Sequence, residues 1–334
     1  MDLFELTRKL IDIESITPNE RAVGDYLYSK LSELASEFGG SAERMPVEPE
    51  RDNIFVRFGE PVVTLSTHMD TVPPFIPSSE DDAHIHGRGA CDTKGIIAAM
   101  ITAVRELLAE GSRNFALLFV VGEERNSAGA LAAAKTPRGS KFLVNGEPTG
   151  NKLALGSKGA LRYEIVASGK MAHSAYPELG ESAIEKLLEA LNRIRQLRLP
   201  VDPVLGPSTL NIGRIEGGRA PNVIPDQARA EIFVRVVNDV TQLREQIEQA
   251  AKPDASAEEV LLIPAVHLAA LDGFETTIVA FTTDIPAFAG TWGQPYLIGP
   301  GSIHVAHTTD ERVPKHELTE AVILYKNLIK RLGR

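Results

Sequence analysis

Five short stretches of this chain run apolar or small and then stop on an imidazole or a carboxylate: TLSTHMD, GRGACDTKG, LLFVVGEE, FLVNGEPTG and VAHTTDE. The side chains so placed are His68, Asp92, Glu123, Glu124, Glu147 and His307. Short apolar runs alternating with helix-period segments are the signature of strands buried in a parallel sheet. Open α/β sheets gather ligands in the crevice beyond the carboxyl ends of their strands, so chelating groups at successive strand ends converge on one point. One pattern thus constrains the fold and the chemistry together.

Helical periodicity covers residues 2–13 and 19–38, and a strand follows over 53–58. Strands over 62–67, 115–121 and 141–145 then alternate with helices over 93–109, opened by Asp92, and 127–134. Near Gly156 the character changes. Residues 160–168 alternate, 182–197 are helical, 208–215 and 227–237 read as half-exposed strands, and a helix over 241–251 precedes a strand over 259–263. That order, β-α-β-β-α-β, is the split βαβ pattern of a small separate domain. After Pro264 the α/β character resumes, with strands at 278–281 and 296–297 and a final helix over 318–332. The expected fold is a mixed, mainly parallel sheet flanked by helices. It spans 1–156 and 265–334 and is interrupted by an inserted α+β domain over 157–264.

The chain has 334 residues, enough for one large domain and a smaller one. Its formal net charge of -10 argues against nucleic acid or an anionic membrane surface as partner. The N-terminal MDLFELTRKLIDIE spreads its charges through an amphipathic pattern, unlike a secretory signal, and no apolar run approaches the roughly 20 residues of a membrane span. The single cysteine, Cys91, excludes an internal disulfide. These features read as a cytoplasmic protein. Cys91 adjoins Asp92, which raises a thiolate role, but a small packing residue in a tight turn is the plainer reading.

An isolated His-x-Asp such as His68-Met69-Asp70 arises often by chance, and Glu123-Glu124 alone would be a solvated pair. The collection says more. Two adjacent carboxylates at the end of a buried strand repel and lose hydration unless cations compensate them. Imidazole and carboxylate without thiolate suit zinc, with manganese or cobalt as substitutes. Five such ligands are too many for one tetrahedral zinc that keeps a position open, yet they suit a pair sharing one bridging carboxylate. One carboxylate is then spare, and either Glu123 or Glu124 is the free base, since neighbours on an extended chain point in different directions.

The residues 66–311 resemble the di-zinc aminoacylase and carboxypeptidase G family, which includes acetylornithine deacetylase and succinyl-diaminopimelate desuccinylase. The resemblance lies in STHMDTVP, GRGACDTKGIIAAM, GEERNSAGA, NGEPTG, GKMAHSAYPELGESAI, APNVIPDQARAEIFVR and GPGSIHVAHTTDE. It implies a zinc-peptidase-like catalytic domain with a ferredoxin-like inserted lid that forms a homodimer. It also implies two zinc ions per subunit, with Asp92 bridging, His68 and Glu147 completing one site, and Glu124 and His307 the other. Glu123 then resembles the general base that activates a metal-bridging water, and Asp70 the residue that orients His68.

In the inserted domain, His173 resembles the histidine that crosses from a partner subunit to stabilise an oxyanion. Asn222 and Arg235 match residues that bind the substrate carboxylate, a role for which a planar guanidinium is suited. Gly301 and Ser302 resemble the loop lining the substrate pocket. Glu311 either meets a cationic substrate side chain or is a solvated turn carboxylate. His84 and His86, on one strand face, and His267, His304 and His316 are read as structural or surface residues.

The function expected is metal-dependent release of an amino acid from an N-acyl amino acid, as in acetylornithine deacetylase, toward which GPGSIHVAHTTDE leans. A carboxypeptidase or dipeptidase with the same chemistry is the alternative. Readings from other classes are a non-catalytic amino-acid or peptide binder on the same fold, and a structural metalloprotein. The complete ligand set with its spare base argues against both.

Overall fold

A computed structural model of the chain describes residues 2–334. Contacts divide it into two compact units, one of Met1–Leu155, Leu268–Thr277 and Thr283–Arg334 and one of Gly156–His267 and Ile278–Thr282. The main elements of the first stretch are α1 (Leu3–Ile11), α2 (Arg21–Phe38), β1 (Ser41–Glu48), β2 (Arg51–Phe58), β3 (Val63–His68), α3 (Gly95–Ala109), β4 (Phe115–Val120), α4 (Ala128–Ala134) and β5 (Phe142–Asn145). The smaller unit then contributes β6 (Gly159–Ser168), α5 (Ala183–Arg195), β7 (Thr209–Gly217), β8 (Gln227–Val236), α6 (Thr241–Ala251) and β9 (Ser256–Ile263). The chain returns to the larger unit for β10 (Gln294–Leu297) and α7 (Lys315–Leu332).

The larger unit carries a six-stranded sheet in the order β1-β2-β4-β3-β5-β10. Strand β3 runs parallel to both β4 and β5, and β10 runs parallel to β5, while β1 and β2 are antiparallel additions at one edge. Every residue of β3 and β4 is buried. Their unbroken apolar runs follow from having both faces covered. Phe115, Leu117 and Phe119 enter the main core with residues of α1, α2, α3 and α7, whereas Ala116, Leu118 and Val120 enter a second core with Ala130, Ala133, Phe288 and Trp292. Burial of each such large side chain contributes about 1.5–3 kcal/mol. The Trp292 indole also donates to the Ala133 carbonyl at 2.9 Å, so no polar cost offsets its burial.

The smaller unit folds as β6-α5-β7-β8-α6-β9, the β-α-β-β-α-β order expected, into an antiparallel sheet ordered β7-β8-β6-β9. Leu161, Tyr163 and Ile165 alternate with partly exposed Arg162 and Glu164, so one face packs with Leu187, Leu191 and Ile247 of the helices. Ser182 caps α5 by accepting from the Glu185 amide.

Two local expectations change. Strand β1 has no counterpart in the sequence reading, because SAERMPVE is a polar edge strand, mostly exposed and interrupted by Pro46. Helix α3 begins at Gly95, not at residue 93. Asp92 and Thr93 adopt non-helical backbone angles, and the Thr93 hydroxyl donates to the His68 carbonyl at 2.5 Å, which turns Asp92 away from the helix start.

Candidate metal centre and active site

His68 closes β3, Glu123 and Glu124 follow β4, and Glu147 follows β5. Because these three strands are adjacent and parallel, their polar ends emerge along one edge of the sheet. Asp92 comes from the turn before α3, and His307, at a positive φ of 62°, from the loop between β10 and α7.

The six side chains come together. His68 Nε2 lies 3.0 Å from Asp92 Oδ1, while His307 Nε2 lies 3.3 Å from Asp92 Oδ2 and 3.1 Å from Glu124 Oε1. The two oxygens of Asp92 therefore face different imidazoles. His68, Asp92 and Glu124 each offer a ligand atom within 4.8 Å of the others. Glu147 is only 4% exposed, and its Oε1 has no hydrogen-bond partner.

Charge balance explains the titration of these groups. Burial pushes Glu123 and Glu147 well above the usual carboxylate range, against the pull of His68, with Glu147 adding to the rise at Glu123 and Asp92 to that at Glu147. Burial would also raise Asp92, but hydrogen bonds from His307 and His68 outweigh it and hold this carboxyl low. Asp92 and Glu124 push the His307 imidazole up to about 10. An orphaned buried carboxylate oxygen amid imidazole and carboxylate donors fits divalent cations, which would ionise the acids and neutralise the histidines.

Asp70 does more than orient a histidine. Its backbone carbonyl is 3.0 Å from His68 Nδ1, with the carboxylate 3.5 Å away. The same carboxylate accepts the Glu123 amide at 3.1 Å, the Glu124 amide at 3.2 Å and the Thr17 hydroxyl at 2.7 Å. Glu123 and Glu124 thus sit in a turn gripped by Asp70 and opened by Gly122 at φ 79°, not on the extended chain that the sequence implied. Their separation survives by this different route: Glu124 meets His307, while Glu123 lies in the fields of His68, Glu147 and Asp284.

Glu311 corrects both sequence readings. It is buried, neither a solvated turn residue nor free for a substrate cation, and its Oε2 is 2.5 Å from Arg88 Nη1. Its Oε1 accepts the Cys91 and Asp92 amides at 3.3 Å each, which fixes the backbone of Asp92. Cys91 is a packing residue, its thiol pushed up by burial and by Glu311. Gly301, at φ 87°, presses its backbone against Cys91: an added Cβ would lie 2.5 Å from the Cys91 Cβ. Ser302 is exposed and bridges to Thr149.

Sequence reasoning missed Asp284, which is buried, hydrogen-bonded by Ser127 and left with Oδ1 unpartnered. Burial pushes its carboxyl up to about 7. The available signal was the one used elsewhere, an acid closing the short run VAFTT, here followed by IP.

In the smaller unit His173 is exposed, accepts the Ala175 amide on Nδ1 at 3.1 Å and meets the Tyr176 ring edge-on. The exposed Asn222 accepts the Ser174 amide on its carbonyl. Arg235 lies over the Phe233 ring, half-buried, with Nη1 unpartnered and its pKa lowered by burial. Among the described residues no helix is long and apolar enough to cross a membrane.

The family model for Peptidase family M20/M25/M40 matches residues 64–331. A protein of Aspergillus terreus described as a probable carboxypeptidase is 36% identical over 97% of this chain and 84% of its own length. Among solved structures, aminopeptidase PepT from Bacillus cereus superposes with a TM-score of 0.79 at 22% identity, covering 99% of this chain and 98% of that one. The YXEP protein of Bacillus subtilis, described as a dinuclear metal binding peptidase, does so with a TM-score of 0.69 at 17% identity, covering 99% and 98%. These two likenesses are likenesses of fold.

Proposed function

This chain belongs to the metallopeptidase family M20/M25/M40, whose members hydrolyse amide bonds, and from that premise we propose a di-metal exopeptidase that removes a terminal residue from short peptides. The observation that carries the hydrolytic reading is the division of Asp92 between His68 and His307, with Glu123 left over beside them. The description of the Aspergillus relative supports a carboxypeptidase or dipeptidase over the N-acyl amino acid deacylase that the GPGSIHVAHTTDE resemblance favours.

His68 and Glu147 would hold one metal, and Glu124 and His307 the other, with Asp92 between them; zinc suits this donor set, with cobalt or manganese as substitutes. Bound there, the ions would supply Lewis-acid polarisation of the scissile carbonyl and a more acidic water. The Glu123 carboxylate accepts a proton from the attacking water and hands it to the leaving amine nitrogen as the C–N bond breaks. Asp70 keeps the backbone of Glu123 in place through its amide. The unpartnered Nη1 of Arg235 supports a role in receiving the substrate carboxylate, and Asn222 is assigned the same role. His173 is assigned to the oxyanion, reaching the site from a partner subunit in a homodimer formed through the smaller unit. Gly301 and Ser302 are assigned to the pocket wall, and the cytoplasm to the site of action.

The test is amine release from dipeptides, tripeptides and N-acetyl amino acids by metal-stripped protein, with and without added zinc, cobalt or manganese. Metal-restored cleavage of peptides supports the exopeptidase. Cleavage confined to N-acetyl amino acids selects the deacylase, and silence with both metals bound would leave a non-catalytic amino-acid or peptide binder.

A further inference from the structure

Away from the strand-end centre, the larger unit brings a second set of metal-ligating side chains together: Asp81, His84 and His86. The short strand Ser79–Glu80 pairs antiparallel with His84–His86, placing Ser79 opposite His86 and Glu80 opposite Ile85. Strand alternation buries Ile85 and leaves both histidines on the other, part-exposed side. The intervening turn swings the Asp81 carboxylate between them. Its Oδ2 lies 3.0 Å from His86 Nε2 and its Oδ1 3.6 Å from His84 Nδ1, and the two imidazole centroids are 5.8 Å apart.

The carboxylate is fixed independently of the imidazoles, since Oδ1 accepts the Ala83 and His84 amides at 2.7 Å each. The charged neighbours on the packed elements are already matched. Glu80 pairs with Arg8 and Lys315, and Lys315 also donates to the Asp81 carbonyl. Arg312, opposite His86 in the register, pairs with Asp310. None of the three cations has its partner in the Asp81 carboxylate, which leaves that group and both imidazoles to each other or to an ion.

We propose that Asp81, His84 and His86 form a peripheral site for one divalent transition ion, with zinc, nickel and copper as the class it takes. Two imidazoles and one carboxylate are borderline donors that suit those metals; calcium and magnesium favour all-oxygen sets. Three protein donors leave the remaining positions to water. Because all three side chains are partly exposed, the ion exchanges with solvent and binds more weakly than metals at the buried centre. The site is independent of the catalytic reading.

Equilibrium dialysis of the metal-loaded enzyme against a buffered zinc concentration, with zinc per chain counted by mass spectrometry, tests it. Two variants are compared with the wild type: His84→Ala/His86→Ala, and Asp81→Asn, whose side-chain oxygen can still accept the Ala83 and His84 amides. The expected result is one zinc fewer in the double variant than in the wild type, a weaker zinc midpoint in Asp81→Asn, and hydrolytic turnover unchanged in both. Equal zinc counts and midpoints in all three proteins would overturn the site. Should the double variant fold poorly, the Asp81→Asn midpoint decides alone, since it keeps both imidazoles and the turn.

Discussion

Two of the places where the larger unit buries carboxylates are built on opposite principles. Where α2 begins beside β2, Glu20 is fully buried and Arg51 nearly so, and the guanidinium answers both of its oxygens through Nε and Nη2 while Nη1 holds Glu48. At the strand ends Asp92, Glu123, Glu124 and Glu147 crowd around His68 and His307, and Glu147 keeps an oxygen without a partner. The first cluster is electrostatically complete within the chain. The second is complete only with charge brought from outside. Burial of an acid is therefore not what marks a site; burial left unmatched is.

The largest effect that could break this comparison is expected at Glu123. In Glu123→Gln the ligand set is intact, so the metal content measured by mass spectrometry stays that of the wild type, while kcat falls by roughly 10²–10⁴-fold for want of the base. Turnover within a fewfold of the wild type would remove Glu123 from that role and leave Glu124 as the alternative base.

Next come paired substitutions that set one cluster against the other. Arg51→Met strands Glu20 without its cation and should destabilise the protein by about 3–5 kcal/mol in chemical denaturation, with or without metal. Glu147→Gln should do the reverse in metal-stripped protein. Burial raises this carboxyl, so its ionisation costs stability above the unfolded value of 4.5, and an amide escapes that cost. The expected outcome is equal or higher stability at neutral pH for the stripped variant, an advantage that shrinks as pH falls toward 4.5, together with weaker metal binding. A stripped Glu147→Gln protein as damaged as Arg51→Met would mean that Glu147 is structural.

Part of the centre was legible because several of its residues follow a local signal, an apolar strand ending on a polar residue, which the parallel sheet converts into convergence. His68, Glu123, Glu124 and Glu147 are of this kind, and so are the two cores that β4 feeds by alternation. What was not legible depends on partners far apart in the chain. Glu311 reads as a turn carboxylate until Arg88, more than two hundred residues earlier, closes on it while its other oxygen accepts the Asp92 amide. Thr17 and Asp70 also meet across a long gap, of 53 residues. The acids gripped by Asp70 sit in a clamped turn instead of the extended chain expected, because the Asp70 carboxylate that holds both amides lies more than fifty residues earlier.

The smallest expected effect sharpens the comparison most, because it reads the missing charge directly. In metal-stripped protein His307 stands in for a cation between Asp92 and Glu124, with its pKa raised from 6.5 to about 10. A group raised on folding lends stability that is fully present below its unfolded pKa and is lost as pH climbs through the folded one, so this contribution fades between 6.5 and about 10. Lys94 works the other way in the same window. Burial pulls its amine down from 10.5 to about 7, so its cost to the fold is present at low pH and fades as pH rises. The observable is therefore the difference between wild type and His307→Gln, in which the lysine cancels. That difference should favour the wild type at pH 6.5 and shrink toward pH 10 in stripped protein, by an amount that solvent screening keeps modest because His307 is half-exposed. With metal restored the dependence should reverse on the acid side, where protonation of His307 competes with the ion for the same nitrogen. A difference that stays constant with pH in both forms would mean that His307 carries no charge for the centre, and the contrast with Arg51 would lose its electrostatic basis.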